Sequence, residues 1–247
     1  MTGSDHRELH HRARLLPAAG DEAAPGIEAV VFDLDGTLAD TMTLAPQAYA
    51  DTIRSLGGPK VSPDEVVATW NMGSTPVVLG YFLGRTVTPH DVDCFYGHFA
   101  SVMGAVRPFH GIPGMLSALR RKGCRIGVFT HATRRAAAIT LTSAGLDRFQ
   151  LTVVGGDEIA EPKPAPEGLL LACRRVGVTP AAAAYVGDAE TDLQCALAAG
   201  SLGIHARWGT TAHATTPHLA AVHPDDVAVL IATHRWRAPE EGVHGWA

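Results

Sequence analysis

Cysteine is scarce: the four in this chain (Cys94, Cys124, Cys173, Cys195) are widely separated, and none forms a C-x-x-C pair. That spacing excludes a disulfide framework and a cysteine-based zinc site, so they read as reduced, mostly buried thiols. Excess positive charge is also missing. Twenty Lys and Arg stand against 25 Asp and Glu, a formal net charge of −5 without a basic stripe, so nucleic acid is not an expected partner. No apolar run approaches the roughly 20 residues that cross a bilayer. The opening MTGSDHRELHHRAR lacks the apolar segment of a secretory signal. The expectation is a cytoplasmic protein with no membrane partner. Histidine is plentiful, but His10–His11 and the series His213, His218, His223 lack i, i+4 ligand spacing and supporting cysteines. They read as solvated loop residues. Oligomeric state leaves no signature.

What is present suits one sizeable core and a small second module. Residues 1–26 have no clear period and read as a loose arm. Ordered structure is expected from IEAVVFD (27–33), a short β-branched apolar run between Gly26 and Gly36. CRIGVFT (124–130), LTVVGG (151–156), AAYVGD (183–188) and SLGIHA (201–206) repeat the pattern. IPGMLSALRRKG, TRRAAAITLTSAGL, APEGLLLACRRVG and ETDLQCALAAG are helical segments between or beside these runs. Strands alternating with helices at this spacing predict an α/β fold, a doubly wound parallel sheet of Rossmann-like type formed by 27–41 and 109–235.

Residues 42–108 break the alternation. TLAPQAYADTIRSLGG sets Ala45, Tyr49, Ile53 and Leu56 on one stripe, and Ser62-Pro63-Asp64-Glu65 is a capping box with proline at the first helical position. Thr75-Pro76 and Thr88-Pro89 repeat the cap-plus-proline signal. About four helices are therefore expected as an inserted all-helical domain. After Thr215, starts at Thr216-Pro217 and Pro224-Asp225-Asp226 predict one or two short helices, followed by a tail over 236–247.

The chemistry concentrates in Val30-Val31-Phe32-Asp33-Leu34-Asp35-Gly36-Thr37-Leu38. Two aspartates leave the end of an apolar strand and enter a Gly-Thr turn, where exposed amides can meet an anion. Ligands of open α/β sheets bind beyond the carboxyl ends of the strands. Asp33 ends the first predicted strand, Thr130 the second and Asp188 the fourth, while Lys163 lies just beyond the third in E-P-K-P-A-P. Three aspartates around a phosphate dianion would repel it. A divalent cation must offset them, and oxygen-only ligands suit Mg²⁺. Lys163 supplies a compact positive charge and Thr130 a hydroxyl donor. Asp188 could instead cap the following helix, and Asp192 could orient its neighbours or face solvent.

These residues resemble the haloacid dehalogenase (HAD) superfamily. Asp33-Leu34-Asp35-Gly36-Thr37-Leu38 is similar to its first motif, Thr130 to its second, Lys163 in K-P-A-P to its third, and Gly187-Asp188 with Asp192 to the G-D-x-x-x-D form of its fourth. The insert at 42–108 resembles a C1-type cap. RPFHGIPGMLSALRRKG, EPKPAPEGLLLACRRVGV and Arg207-Trp208-Gly209 resemble the phosphoglycolate phosphatase group. The resemblance implies a phosphatase acting on a small phosphorylated metabolite: Asp33 as nucleophile, and Asp35 as acid and then base. Mg²⁺ would sit on Asp33, the Asp35 carbonyl and Asp188, with Thr130 and Lys163 on the phosphoryl group and Asp192 behind them. His131 departs from the small polar residue usual after the second motif; it would contact phosphate or narrow the pocket, or be a tolerated substitution. Asp35 argues against carbon–halogen and carbon–phosphorus cleavage. A phosphomutase of the β-phosphoglucomutase type shares these motifs, and a non-catalytic binding module on the same fold is the remaining alternative. Asn71, Thr75, Arg85 and Arg107 are candidates for reading the leaving group. An arginine facing the site would imply a carboxylated or doubly phosphorylated substrate.

Overall fold

A computed structural model describes residues 26–209, 214–216 and 218–233. The expected arm apart from Gly26, the C-terminal tail, His10–His11, His213 and Pro217 lie outside these residues, as does the Asn71 side chain.

Six strands form one parallel sheet in the order β3-β2-β1-β4-β5-β6: β1 Ala29–Phe32, β2 Arg125–Phe129, β3 Thr152–Val154, β4 Ala183–Gly187, β5 Leu202–Ala206 and β6 Leu219–Ala221. Five coincide with the apolar runs of the sequence. Central β1 is wholly buried, as a strand covered on both faces must be. Its side chains alternate between two cores. Val30 and Phe32 join the larger one, whereas Val31 packs with Phe129, Leu169 and Tyr185 on the other face. Register pairs Phe32 with Val128 on one side and with Val186 on the other, so Asp33, Thr130 and Asp188 emerge at neighbouring strand ends.

Helices α5 Ile112–Arg121, α6 Arg134–Ser143, α7 Glu167–Val176 and α8 Glu190–Ala199 flank the sheet. In α5 the buried residues are Ile112, Met115, Leu116 and Leu119, one face of a 3.6-residue period. Helix α6 starts at Thr133, whose hydroxyl accepts the Ala136 amide proton. Helix α7 presses directly on β2: a Cβ on Gly168 would overlap the Phe129 ring.

Among the described residues four helices precede α5: α1 Ala45–Ser55, α2 Pro63–Val67, α3 Thr75–Leu83 and α4 Pro89–Met103. Capping boxes at Ser62/Glu65 and Thr88/Asp91 open α2 and α4. Two details differ from the sequence reading. Ser74, not Thr75, precedes α3, and the Thr75 hydroxyl pairs with that of Tyr49 at 2.9 Å. The α1 stripe is rotated, because Thr52 satisfies its hydroxyl on the Ala48 carbonyl (2.7 Å) and can be buried beside Ile53.

The segment after Thr215 corrects a larger expectation. Leu219–Ala221 is a strand, not part of a helix, and extends the sheet beyond β5. Its Leu-Ala-Ala composition carries little β preference; pairing with the β5 edge makes it a strand. The second expected helix is present as α9, Asp226–Thr233. All four cysteines are free. Among the described residues no helix is long and apolar enough to cross a membrane.

Candidate active site

The first strand ends by handing its ladder to the site: the Asp33 amide still donates to the Val186 carbonyl at 2.8 Å. The chain then turns sharply, with the Leu34 carbonyl accepting from the amides of Leu38 (2.9 Å) and Ala39 (3.0 Å). Gly36 makes the turn possible. Its φ is +85°, and a Cβ there would stand 2.7 Å from Asp188 Oδ2. The turn therefore lies against Asp188, and Thr37 Oγ1 donates to Asp188 Oδ1 at 3.0 Å.

Lys163 reaches into this crevice almost fully buried. Its Nζ donates to Asp33 Oδ1 at 2.8 Å, to Asp192 Oδ1 at 2.7 Å and to Tyr185 Oη at 3.2 Å. Tyr185 in turn donates to the Phe129 carbonyl at 2.9 Å. Asp192 sits on the first turn of α8, where its Oδ2 accepts the Ala189 amide at 3.1 Å. Asp192 thus does the capping that the sequence left open for Asp188, and Asp188 is left facing Gly36 and Thr37. Asp35 points elsewhere. Its two carboxylate oxygens accept from Thr41 Oγ1 at 2.7 Å and Thr130 Oγ1 at 3.3 Å. Thr130 also accepts the Ala132 amide at 3.0 Å. His131 is exposed beside Thr130.

Two carboxylates thus hold one ammonium while Asp35 and Asp188 add their charge nearby, and the electrostatics follow. Burial pushes the Asp33 carboxyl well above its usual range; Lys163 pulls it back, and Asp192, Asp35 and Asp188 push it up again. Asp35 is raised by burial, against the hydroxyls of Thr41 and Thr130. Asp188 is pushed up to about 6, by burial first and Asp192 second. Lys163 is held above the ordinary ammonium range: burial opposes its charge, but Asp192 and Asp33 outweigh it. The cluster is short of positive charge.

Three carboxylate oxygens, from Asp33, Asp188 and Asp192, lie within 4.8 Å of one another, the one such grouping of His, Cys, Asp and Glu among the described residues. An all-oxygen, electron-rich set of this kind fits a hard divalent cation. Asp192 is committed through both oxygens to Lys163 and Ala189, so Asp33 and Asp188 are the better-placed ligands.

The sequence reading missed Thr37, Thr41 and Tyr185. The two threonines follow the aspartates four residues apart on the departing turn, a spacing that was legible. Tyr185 stood out as a phenol in a run of Ala, Val and Gly; once buried, its hydroxyl needs a partner. Of the four residues considered for the leaving group, three are engaged elsewhere. Arg85 grips Asp91 at 2.6 and 3.0 Å, Arg107 donates to the Val106 carbonyl at 2.7 Å, and Thr75 pairs with Tyr49.

Residues 30–204 match the haloacid dehalogenase-like hydrolase family. A phosphoglycolate phosphatase of Xylella fastidiosa is 33% identical over 76% of this chain and 83% of its own. An N-acetylmuramic acid 6-phosphate phosphatase of Pseudomonas aeruginosa is 30% identical, covering 81% and 85%. In fold, the chain resembles CbbY from Rhodobacter sphaeroides, solved in complex with phosphate, with a TM-score of 0.71 at 22% identity over 81% of this chain and 96% of that one. With the matched region running from β1 through β5 and the acidic crevice at the ends of its strands, the chain belongs to the haloacid dehalogenase-like hydrolase family and is a phosphatase of that family.

Proposed function

We propose that the protein is a Mg²⁺-dependent phosphatase that hydrolyses a small phosphate monoester, phosphoglycolate-like or a sugar phosphate, through an aspartyl-phosphate on Asp33. The observation that carries this reading is the buried Lys163 ammonium, set between Asp33 and Asp192 with Asp188 alongside. A carboxylate held by a lysine at 2.8 Å has a fixed direction of attack.

In the first step an Asp33 carboxylate oxygen attacks phosphorus and the bond to the ester oxygen breaks. Asp35, whose burial favours its protonated form, gives its proton to the leaving oxygen. In the second step Asp35 takes a proton from water, the water oxygen attacks phosphorus, and the Asp33–phosphorus bond breaks to release inorganic phosphate. Thr130 and Lys163 hold the phosphoryl oxygens, with His131 at the rim beside them. Asp192 and Tyr185 hold Lys163. Mg²⁺ on Asp33, Asp188 and the Asp35 carbonyl would offset the charge of the carboxylates and the phosphoryl group.

Residues 42–108 act as a cap over the 27–41 and 109–235 core in this reading. Two polar contacts join α4 to α6: Tyr96 Oη to Thr133 Oγ1 at 2.7 Å and Arg135 to Asp93 at 2.7 Å. The Arg135 guanidinium also covers the Tyr96 ring. These contacts link the helical segment to the loop that carries Thr130.

A panel of phosphate monoesters, compared by kcat/KM with Mg²⁺ and with a chelator, tests the proposal. Release of free phosphate that stops on chelation is expected. No release from any ester, or release indifferent to chelation, would contradict it, and transfer of the phosphoryl group to a second sugar hydroxyl would assign a mutase instead.

A further inference from the structure

The segment that leaves β5 returns to touch the site from outside. Arg207 begins it, its amide on the Ala221 carbonyl at 2.9 Å. Trp208 then folds back over the first motif, and its indole N–H donates to the Thr37 carbonyl at 2.8 Å. Gly209 lies so close to Gly36 that a Cβ on it would overlap the Gly36 carbonyl oxygen. Both contacts fall on the two residues that face Asp188.

The Gly36–Thr37 turn is therefore held from two sides, by Trp208 and Gly209 on one and by the Asp188 carboxylate on the other. Its internal support at Thr37 is slight: the Thr37 amide reaches the Leu34 carbonyl only at 3.4 Å, a long hydrogen bond. The indole bond is the shorter one by a clear margin. Asp188 needs such help because neighbouring carboxylates repel it. A donor fixed on Oδ1 aims the group, one oxygen of which lies within 4.8 Å of an Asp33 carboxylate oxygen. Thr215 and Thr216, further along, are tied to the same region. Glu190, two residues after Asp188, accepts the amides of Thr215 (2.9 Å) and Thr216 (3.0 Å). His205 Nε2–H donates to the Asp188 carbonyl at 3.1 Å.

We propose that Trp208 and Gly209 are positioning residues for the cation site: they clamp the Gly36–Thr37 turn so that the Thr37 hydroxyl holds the Asp188 carboxylate opposite Asp33. The proposal rests on the reading of this crevice as a Mg²⁺ site. It assigns the β5–β6 connection a part in metal binding although Trp208 and Gly209 themselves touch no ligand.

Calorimetric titration of the metal-free full chain with Mg²⁺ tests it, using Trp208→Phe, Thr37→Val, the double variant and Gly209→Ala. Trp208→Phe keeps an aromatic side chain, though a smaller one, and removes the indole N–H donor to the Thr37 carbonyl. It is expected to weaken Mg²⁺ binding about tenfold to a hundredfold, as loss of outer-shell partners does. Thr37→Val should do the same, and the double variant should bind no more weakly than Thr37→Val alone, because Trp208 acts through Thr37. Gly209→Ala reaches the same loss by pushing on Gly36, and decides the matter should Trp208→Phe fail to fold. A Trp208→Phe protein that melts lower but keeps the wild-type Mg²⁺ affinity overturns the proposal, as do losses that multiply in the double variant. Wild-type protein that neither binds Mg²⁺ nor releases phosphate overturns the underlying reading instead.

Discussion

Replacing Asp192 by Asn removes one charge from the crowded end of the sheet while preserving shape. The attraction of Asp192 to Lys163 acts across 2.7 Å, and its repulsions from Asp33 and Asp188 act across at most 4.8 Å. With an effective dielectric of about 20, the attraction is about 6 kcal/mol and each repulsion about 3–4 kcal/mol. One attraction and two repulsions nearly cancel, so neutralising Asp192 should cost little through charge. Hydrogen bonding remains. Asp192 accepts on both oxygens, from Lys163 on one side and from the Ala189 amide on the other, whereas an amide can accept on one side only. A buried donor turned toward a donor costs about 1–3 kcal/mol. Urea unfolding of metal-free Asp192→Asn should show a loss in that range, below the roughly 3–5 kcal/mol of an isolated buried pair that loses a partner. Turnover should fall as well, because Lys163 would lose a charged partner and lean more on Asp33 and Tyr185. A loss of the full isolated-pair size would refute the claim that the three carboxylates crowd one another, and unchanged kcat would refute the role of Asp192 in holding Lys163.

Other consequences can be measured separately. The Thr41 hydroxyl stabilises the ionised form of Asp35, so Thr41→Val should raise the Asp35 pKa further and carry the alkaline limb of kcat/KM to higher pH; a limb that stays or moves down contradicts the acid role. Glu158 is drawn down to about 2 by its hydrogen bond to Arg175, against its partial burial and with help from the Gly155 amide and Arg134. A carboxyl depressed on folding stabilises above its ordinary value of 4.5, and that contribution disappears as pH falls toward 2. Glu158→Gln should therefore flatten the decline of melting temperature over that interval; an identical decline would exclude the contribution. Gly168→Ala forces a methyl group into the Phe129 ring and should cost about 1–3 kcal/mol in urea unfolding, with a neutral result contradicting the close seat of α7 on β2.

Much of this organisation was legible before any coordinates. Five strands showed themselves as apolar runs; four of them (β2, β1, β4 and β5) are central, and strands covered on both faces leave little room for polar alternation. The strand-end positions of Asp33, Thr130 and Asp188 followed from those runs. What escaped depends on contacts made across the chain. The strand Leu219–Ala221 exists through its β5 neighbour, which its own composition does not announce. Tyr185 meets Lys163 across 22 residues of sequence, and nothing local marks it as a partner. Arg85 looked available to a substrate because its partner Asp91 lies 6 residues further along, and the sequence does not mark the two as a pair.

Trapping the reaction between its two steps tests the central claim most directly. Full-length protein mixed with a turned-over phosphate ester and Mg²⁺, quenched in acid and mapped by mass spectrometry, should carry one phosphoryl group on the peptide containing Asp33, at Asp33 itself. Asp33→Asn should carry none and release no phosphate. Sustained hydrolysis by that variant, or a phosphoryl group found on another residue, would contradict the assignment of Asp33 as the nucleophile.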